Sequence, residues 1–455
     1  ISFILIQPLV TRAAAVNGKK PVHHSARLSL AQAVSIALSR NLRMADSRLA
    51  VTEKEHQRRE AFSDFFPSID TSYTASTSKY QQSSYIDTLE GIHPSRWTIR
   101  GNSSNPTLAP NYPYRIDPYR QFTLNATLTQ PLFTGGKYLN DYKYAKLGVD
   151  YYAIQFQVDR QDLILDVNKA YFNLIQAIKL LGVANDSIRA LQALRNQSTE
   201  FYKAGLVAKV DVLSSEGQLA QAYIQQTEEL RDIGEYKATL CNLLRYPQET
   251  PLEVIDDLTY QPNSYRIPEI YATAAANRLE IRQANISVDQ AMAIVKSAKA
   301  ELLPQASGQI TGKRVNDDWN VFDPEGNNDW GVTGTVTWSF DMYRTRSVVN
   351  EKRASHARAF VAREQLVEEI MEEVKLAYLD MKRSESDIQN NRKAVDYRRE
   401  NFRINQDRYK KQIATYIEVL DAQKQLSSAE GDYITAMIGY MTNRAVLERK
   451  MGTLR

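Results

Sequence analysis

The chain has 455 residues, with 57 basic against 53 acidic side chains, a net charge of +4 and one cysteine, Cys241. Balanced charge offers no clustered basic face for nucleic acid. A lone cysteine excludes a disulfide framework and a cysteine-based metal site.

Ile1 to Val10 is apolar apart from Ser2, Gln7 and Pro8, and is followed by Thr11, Arg12 and Ala13-Ala14-Ala15. An apolar run closed by small residues has the pattern of the end of a secretory signal peptide, expected here over 1–15. An ordered N-terminal strand is the other reading. Nowhere else is there an unbroken apolar run of about 18 residues, so no membrane-spanning helix is expected. Entry into a bilayer would have to be as a β-barrel.

A first unit is expected over 28–245. Its strands fall near 68–77 and 121–131, and its long helices over 137–203 and 207–245. Phe122, Leu124, Ala126 and Leu128 alternate with Thr123, Asn125, Thr127 and Thr129, the period of a half-buried strand. Ile69, Thr71, Tyr73 and Ala75 repeat the pattern more weakly. No proline lies between Pro131 and Pro247, and that stretch is rich in good helix formers. Val167, Leu174, Leu181 and Ile188 stand seven apart, the coiled-coil period. Residues 137–201 as helix would extend about 100 Å, too long for an ordinary amphipathic stripe in a compact domain.

A linker or irregular belt, rich in proline, is expected over 246–267. A second unit over 268–450 repeats the first. Its strands lie near 304–313 (Ala306, Gly308, Ile310, Gly312) and 330–340 (Trp330, Val332, Gly334, Val336, Trp338, Phe340). Its long helices are expected over 344–411 and 415–450, with Val374, Met381, Ile388, Val395 and Phe402 on the heptad stripe. The duplication is explicit. Tyr202, Lys203, Val212, Leu213, Gln218, Leu219 and Ala222 recur 207 residues on as Tyr409, Lys410, Val419, Leu420, Gln425, Leu426 and Ala429. Ala37, Leu42, Val51, Ala61 and Pro67 recur 237 residues on as Ala274, Leu279, Val288, Ala298 and Pro304. Self-similarity of this kind decides fold class ahead of any single motif. The chain reads as mainly α, a duplicated unit of strands plus long coiled-coil helices.

Each strand is about ten residues long, the length that crosses a bilayer. Phe122, Leu124, Leu128, Trp330, Val332, Val336 and Trp338 would face lipid, with hydroxyl and amide side chains facing water. A soluble sheet packed on the helices is the competing reading. Four strands cannot close a barrel, and open edges are not tolerated in lipid. Three copies would give about twelve strands, whereas two would give a barrel too narrow for a duct. Lys79 to Tyr119 and Val315 to Asp329 are expected as the loops between paired strands.

The chain resembles the TolC-type outer-membrane factors over nearly its whole length. The resemblance rests on Leu28-Ser29-Leu30-Ala31-Gln32-Ala33 running on to Asn41-Leu42, and on Gln130-Pro131-Leu132-Phe133-Thr134-Gly135-Gly136. It also rests on the helix start after Gly205 leading to Asp211-Val212-Leu213. It implies a homotrimer in the bacterial outer membrane with a 12-stranded β-barrel, a 12-helix periplasmic tunnel and an equatorial belt. It implies a periplasmic adaptor and a proton-driven or ABC-type inner-membrane transporter as partners. The implied job is passive efflux of small molecules. Type I protein secretion and, in another class, a soluble coiled-coil scaffold are the alternatives.

In that family the turns between long helices form the periplasmic tip that adaptors grip. Here those turns are Gly205, Leu206, Val207 and Ala208, and Gln412, Ile413, Ala414 and Thr415. Gly205 suits a left-handed helix end, whereas Gln412 leaves the second turn's geometry open. Closing a hairpin is the plainer role for both. Glu200, Arg403, Asp407 and Arg408 are gate candidates, since rings of like charge around an axis select ions. Solvated helix faces are the plainer account of such charges.

Catalytic signatures are absent. His23, His24, His56, His93 and His356 form no metal-spaced pair on a helix. Gly135-Gly136-Lys137 resembles part of a phosphate loop but has Pro131 where the first glycine belongs. No enzyme activity, cofactor or metal is expected.

Overall fold

Proline or glycine marks several of the places where this chain leaves the helix, at Pro67, Gly205, Pro304 and Gly452. The computed structural model describes residues 26–78, 99–100, 107–108, 119–256, 259–262, 265–322 and 326–454. The expected signal remnant at 1–15, His23, His24 and His93 lie outside them. The elements in chain order are β1 (Ala26–Leu28), α1 (Leu30–Arg40), α2 (Leu42–Ser63), β2 (Ser68–Ser78), β3 (Ile99–Arg100), β4 (Thr107–Leu108), β5 (Tyr119–Phe133), α3 (Lys137–Lys203), α4 (Lys209–Leu244), β6 (Leu252–Val254), α5 (Ile267–Asn277), α6 (Leu279–Ala300), β7 (Gln305–Asn316), β8 (Asn327–Thr337), α7 (Met342–Lys410) and α8 (Tyr416–Lys450). Among the described residues no helix is long and apolar enough to cross a membrane.

The duplication is visible in the element boundaries. α1 and α2 recur as α5 and α6 with both ends displaced by the same 237 residues read from the sequence. α3 ends and α4 begins at Lys203 and Lys209, and α7 and α8 do so 207 residues later at Lys410 and Tyr416. Pro67 and Pro304 stand immediately before β2 and β7, where the missing N–H helps keep α2 and α6 from continuing.

The chain divides into two compact units. One comprises residues 53–150 and 286–360 and holds a four-stranded antiparallel sheet of order β2-β5-β7-β8. Residues opposed across an antiparallel pair point to the same face. Ile69, Leu128, Ile310 and Val332 form one such row, and Thr71, Ala126, Gly312 and Trp330 the next. The rows between carry Asp70, Thr127, Thr311 and Gly331, then Ser72, Asn125, Lys313 and Asp329. In these rows the sheet is apolar on one face and polar on the other; the apolar face also carries Gln130 toward one end and Arg314 and Asn328 toward the other. The short β3 and β4 pair with each other.

Three boundaries differ from expectation. Trp338 lies one residue beyond β8, because the ladder closes at Gln305 and Thr337 and the next residue along β7 is Pro304, which has no N–H. The second loop is shorter than Val315 to Asp329, since Val315 still pairs with Asn327. Tyr119, at the end of the expected first loop, already belongs to β5.

β5 turns into α3 through Gly135 and Gly136, with φ of +62° and +87°. A side chain at Gly135 would put its Cβ 2.6 Å from the Ala300 carbonyl oxygen and 3.0 Å from Leu303 Cβ. The glycine is thus required by backbone conformation and by close approach of α6.

The second unit comprises residues 1–52, 151–285 and 361–455. Val167, Leu174, Val374 and Met381 are fully buried along the heptad stripes and Ile188, Ile388 and Val395 nearly so; Val167, Leu174, Val374, Met381 and Ile388 share one core with Ile438, Tyr440 and Leu447 of α8. Within the segment expected as a linker or belt, Leu252–Val254 form β6. This strand runs parallel to β1, and the Tyr171 hydroxyl lies 2.9 Å from Leu28 O and 2.7 Å from Ile255 O, tying the strand pair to α3. A charged network crosses the same unit. Arg449 donates to Asp162 (2.7 Å) and Glu280 (2.8 Å), Arg278 lies 3.1 Å from both Glu280 and Glu373, and Arg43 reaches Asp159 and Asp162. Asp166, 3.6 Å from Arg43, has its carboxyl raised above the usual range by burial, which outweighs that cation.

Gly135→Ala is expected to destabilise the protein by about 1–3 kcal/mol, the range for overpacking a tight contact. Thermal unfolding of the detergent-solubilised protein followed by circular dichroism measures it. A Gly217→Ala control, where a Cβ meets nothing within 4 Å, should leave the midpoint unchanged or raise it slightly.

Candidate functional site

Two parts of the molecule present chemistry that the packing of one chain leaves unused. The first is the sheet. Trp330, Val332 and Val336 on β8 are 78%, 67% and 72% exposed, and Ile69 on β2 is 71% exposed. Phe122, Leu124 and Leu128, on the interior strand β5, share their face but are half-buried between neighbours, with the Tyr73 ring stacked 6.3 Å from Phe122. At the end nearest α7, Trp338 donates its ring N–H to Leu302 O (3.2 Å) and packs on Phe340 at 4.4 Å. A β-bulge between Pro131 and Phe133 turns Leu132 toward Gly308, whose Cβ would lie 3.6 Å from it. Among the described residues β2 and β8 each pair on one side only.

The second part is the pair of turns joining the long helices. Gly205 takes φ +72°, and Gln412 takes φ +60° in the corresponding place. Gly205 N–H bonds Tyr202 O (2.9 Å) and Leu206 N–H bonds Phe201 O (2.8 Å). Gln412 N–H bonds Tyr409 O and Ile413 N–H bonds Arg408 O at the same two lengths. The doubt that the sequence left about the second turn is resolved: glutamine adopts the glycine geometry, against its steric preference. The helix starts differ. Ala208 offers α4 no side-chain cap, whereas Thr415 and Glu418 form a full capping box on α8.

Around both turns apolar side chains stand in the open. Leu206, Val210, Leu213, Ile413 and Ile417 are all more than half exposed, while Val207 and Ala414 are half-buried and Ala208 and Thr415 exposed. Val210, Leu213 and Ile417 were not among the residues that the sequence singled out at the tip. Their spacing from the turn, about one helical turn in, was the available signal.

Of the gate candidates, Glu200, Arg403 and Arg408 are solvent-exposed and Asp407 half-buried, and all four are paired along or between helices. Glu200 bonds Lys203 at 2.8 Å, Arg403 bonds Glu400 at 2.6 Å and Asp407 at 3.4 Å, and Arg408 lies 3.7 Å from Glu418. The hydrogen bond from Arg403 holds the Glu400 carboxyl below its usual range. Such exposed pairs contribute little to stability. The buried contact here is one the sequence did not disclose. The Tyr409 hydroxyl lies 3.1 Å from Ser198 Oγ, with Phe201 and Tyr416 packed around it. Burial pushes the Tyr416 hydroxyl up to about 12 and that of Tyr409 upward too. In the first copy the equivalent Tyr202 is exposed.

Gln412→Gly is expected to stabilise the second turn by about 1 kcal/mol through relief of the left-handed backbone. Gly205→Ala should cost a similar amount. Hydrogen exchange of the amides on either side of each turn measures both, and equal exchange in wild type and Gln412→Gly would contradict the strain.

Comparison with known proteins gives these features a family. The model of the family "Outer membrane efflux protein" matches residues 33–244 and 270–453. The chain is 24% identical over 328 residues to the outer membrane protein TolC of Escherichia coli, a stretch covering 66% of this chain and 63% of TolC. It thus matches less than two thirds of that relative's length. It is 24% identical over 330 residues to nodulation protein T of Rhizobium leguminosarum bv. viciae, covering 69% of this chain and 66% of that protein. The CmeC outer membrane channel of Campylobacter jejuni superposes with a TM-score of 0.74 at 17% identity, over 93% of this chain and 85% of CmeC, so the fold is shared. Two family-model matches that between them take in each half of the duplication and most of the chain leave no ambiguity: this chain belongs to the outer membrane efflux protein family.

Proposed function

We propose that three copies of this chain close a twelve-stranded barrel in the outer membrane and that their long helices form a duct below it. Through that duct, small molecules delivered by an inner-membrane transporter and a periplasmic adaptor leave the cell. The observation that carries this reading is the sheet: one face is apolar over its middle rows, and among the described residues neither edge strand has a second partner. In lipid those edge N–H and C=O groups must find partners, which a second copy supplies if β8 of one chain pairs with β2 of the next. The polar face would then line water. Membership of an outer-membrane family argues against the soluble scaffold. The duct stores no energy and performs no catalytic step; the transporter drives transport and selects the cargo.

The turns at Gly205 to Ala208 and Gln412 to Thr415 are proposed as the adaptor-docking tip, supported by the exposed Leu206, Val210, Ile413 and Ile417 around them. Glu200, Arg403, Asp407 and Arg408 are proposed to set the charge of the duct near that tip.

Cysteine pairs with one member on β2 (residues 69–75) and the other on β8 (330–336) test the assembly. Cys241 is buried and does not compete. Oxidation in intact membranes should yield covalent trimers, and a protein that forms only dimers or stays monomeric contradicts the barrel. A photo-crosslinking residue at Val207 or Ala414 should trap a periplasmic adaptor; trapping only copies of this chain would remove the tip as the docking site. Asp407→Asn should alter single-channel conductance and cation preference in planar bilayers, and unchanged values would remove Asp407 from the duct lining.

A further inference from the structure

The connection between β7 and β8 does not simply stand off the end of the sheet. Asn316, the last residue of β7, opposes Phe122 and therefore lies on the apolar face. Its side-chain amide donates to Asn320 O at 2.9 Å, and its side-chain oxygen accepts from Asp317 N–H at 2.8 Å. Tyr73 on β2 belongs to the same face, opposite Leu124. Its hydroxyl donates to Trp319 O at 2.9 Å, and the same carbonyl accepts from Val321 N–H at 3.1 Å. β2 is not adjacent to β7; β5 lies between them. The connection must therefore cross the end of β5 on the apolar side to reach Tyr73. Val321 is buried by this fold-back (4% exposed), while Trp319 and Phe322 are 73% and 69% exposed.

Two tight ties hold a short loop onto this face at the row where it passes from apolar side chains to Arg314 and Asn328, and the loop then displays two large aromatic side chains. That is a poor arrangement for water and a good one for the boundary of a bilayer, where amphipathic rings collect at headgroup level. The spacing agrees. Trp338 and Phe340 mark the end of the sheet nearest α7. From the Ala306 row to the row of Tyr73, Leu124, Arg314 and Asn328, where the face turns polar, is about 27 Å of strand, or about 21 Å along a barrel axis at the usual tilt, close to the height of an outer-membrane apolar band.

We propose that residues 317–322 lie on the lipid side of the sheet and seat Trp319 and Phe322 in the headgroup layer of the outer leaflet, with the Tyr73 hydroxyl as the latch. This rests on the barrel reading above, which the experiment tests separately.

The protein has four tryptophans, Trp97, Trp319, Trp330 and Trp338. Variants retaining only Trp319 or only Trp330, the others replaced by phenylalanine, are reconstituted in phosphatidylcholine vesicles carrying bromine at different acyl depths. Trp319 should be quenched at least about twofold more by bromine near the headgroups than by bromine at the chain ends, as expected for a residue in an interfacial belt. Trp330 should respond to the deeper label. If Trp319 responds to aqueous acrylamide as free tryptophan does while Trp330 responds to lipid, the loop stands in water and the proposal falls. If Trp319 is shielded from both quenchers, another protein surface covers it and the proposal falls as well. If neither tryptophan senses bromine, the barrel reading itself fails. Tyr73→Phe in the Trp319-only protein should lower headgroup quenching about twofold without altering the Trp330-only protein, since the interfacial position depends on the latch; no change would overturn the latch.

Discussion

The demand that every backbone N–H and C=O find a partner organises this chain. In the long helices the partners are internal, which is why they can run for 67 and 69 residues once proline is withheld. In the sheet they are only partly internal, and among the described residues β2 and β8 carry the deficit. A face apolar from Ile69 to Val332 cannot be left in water, and open edges cannot be left in lipid. Proposed closure by further copies satisfies both conditions at once. It also accounts for the alternation on every strand, because a closed barrel has a wet side and a lipid side.

The two halves solve the same backbone problems with different residues. β5 enters α3 through Gly135 and Gly136, whose positive φ values make the turn. β8 enters α7 with no glycine; instead Asp341 bonds the N–H of Arg344 through its side chain and that of Thr345 through its carbonyl. At the opposite ends of the long helices, Gly205 makes the first turn without strain but leaves α4 uncapped. Gln412 makes the second turn with strain of about 1 kcal/mol, and the Thr415–Glu418 capping box offsets it by a similar amount. Equal geometry was reached by different local balances, as expected after a duplication whose copies accept substitutions independently.

Periodicity explains what was legible in the sequence. The heptad stripes, the two offsets and the alternation on β5 and β8 are local patterns, and they led to the helices, the strands and the duplicated fold. Contacts between residues far apart in sequence leave no such trace. Nothing local announces that Leu252 to Val254 pairs with Ala26 to Leu28, that Tyr409 meets Ser198, or that Tyr73 holds the Trp319 carbonyl. The asymmetry between Tyr409 and Tyr202 was hidden for a related reason. Identical residues at equivalent positions of a repeat read alike, yet one is buried and the other exposed because different neighbours face them.

The charged network around Arg449 answers a problem that the apolar stripes create. A seven-residue stripe looks almost the same after a seven-residue slip, so packing alone specifies weakly how α3, α7 and α8 are aligned. Charge does not repeat in this way. Sliding α3 by one heptad against α8 would replace Asp162 beside Arg449 with Gln155 or Lys169, leaving a guanidinium that is 7% exposed without one of its two carboxylates. Uncovering one member of a buried pair costs about 3 kcal/mol or more, and Asp162, one-third exposed, puts the cost at the low end of that range. That is still more than a stripe of leucine and valine gains or loses on a slip that preserves its burial. Such networks add little to stability when compared with apolar packing. Here the network acts against the misaligned alternatives, and it does so where α2, α3, α6, α7 and α8 all contribute a charge: Arg43, Asp162, Glu280, Glu373 and Arg449.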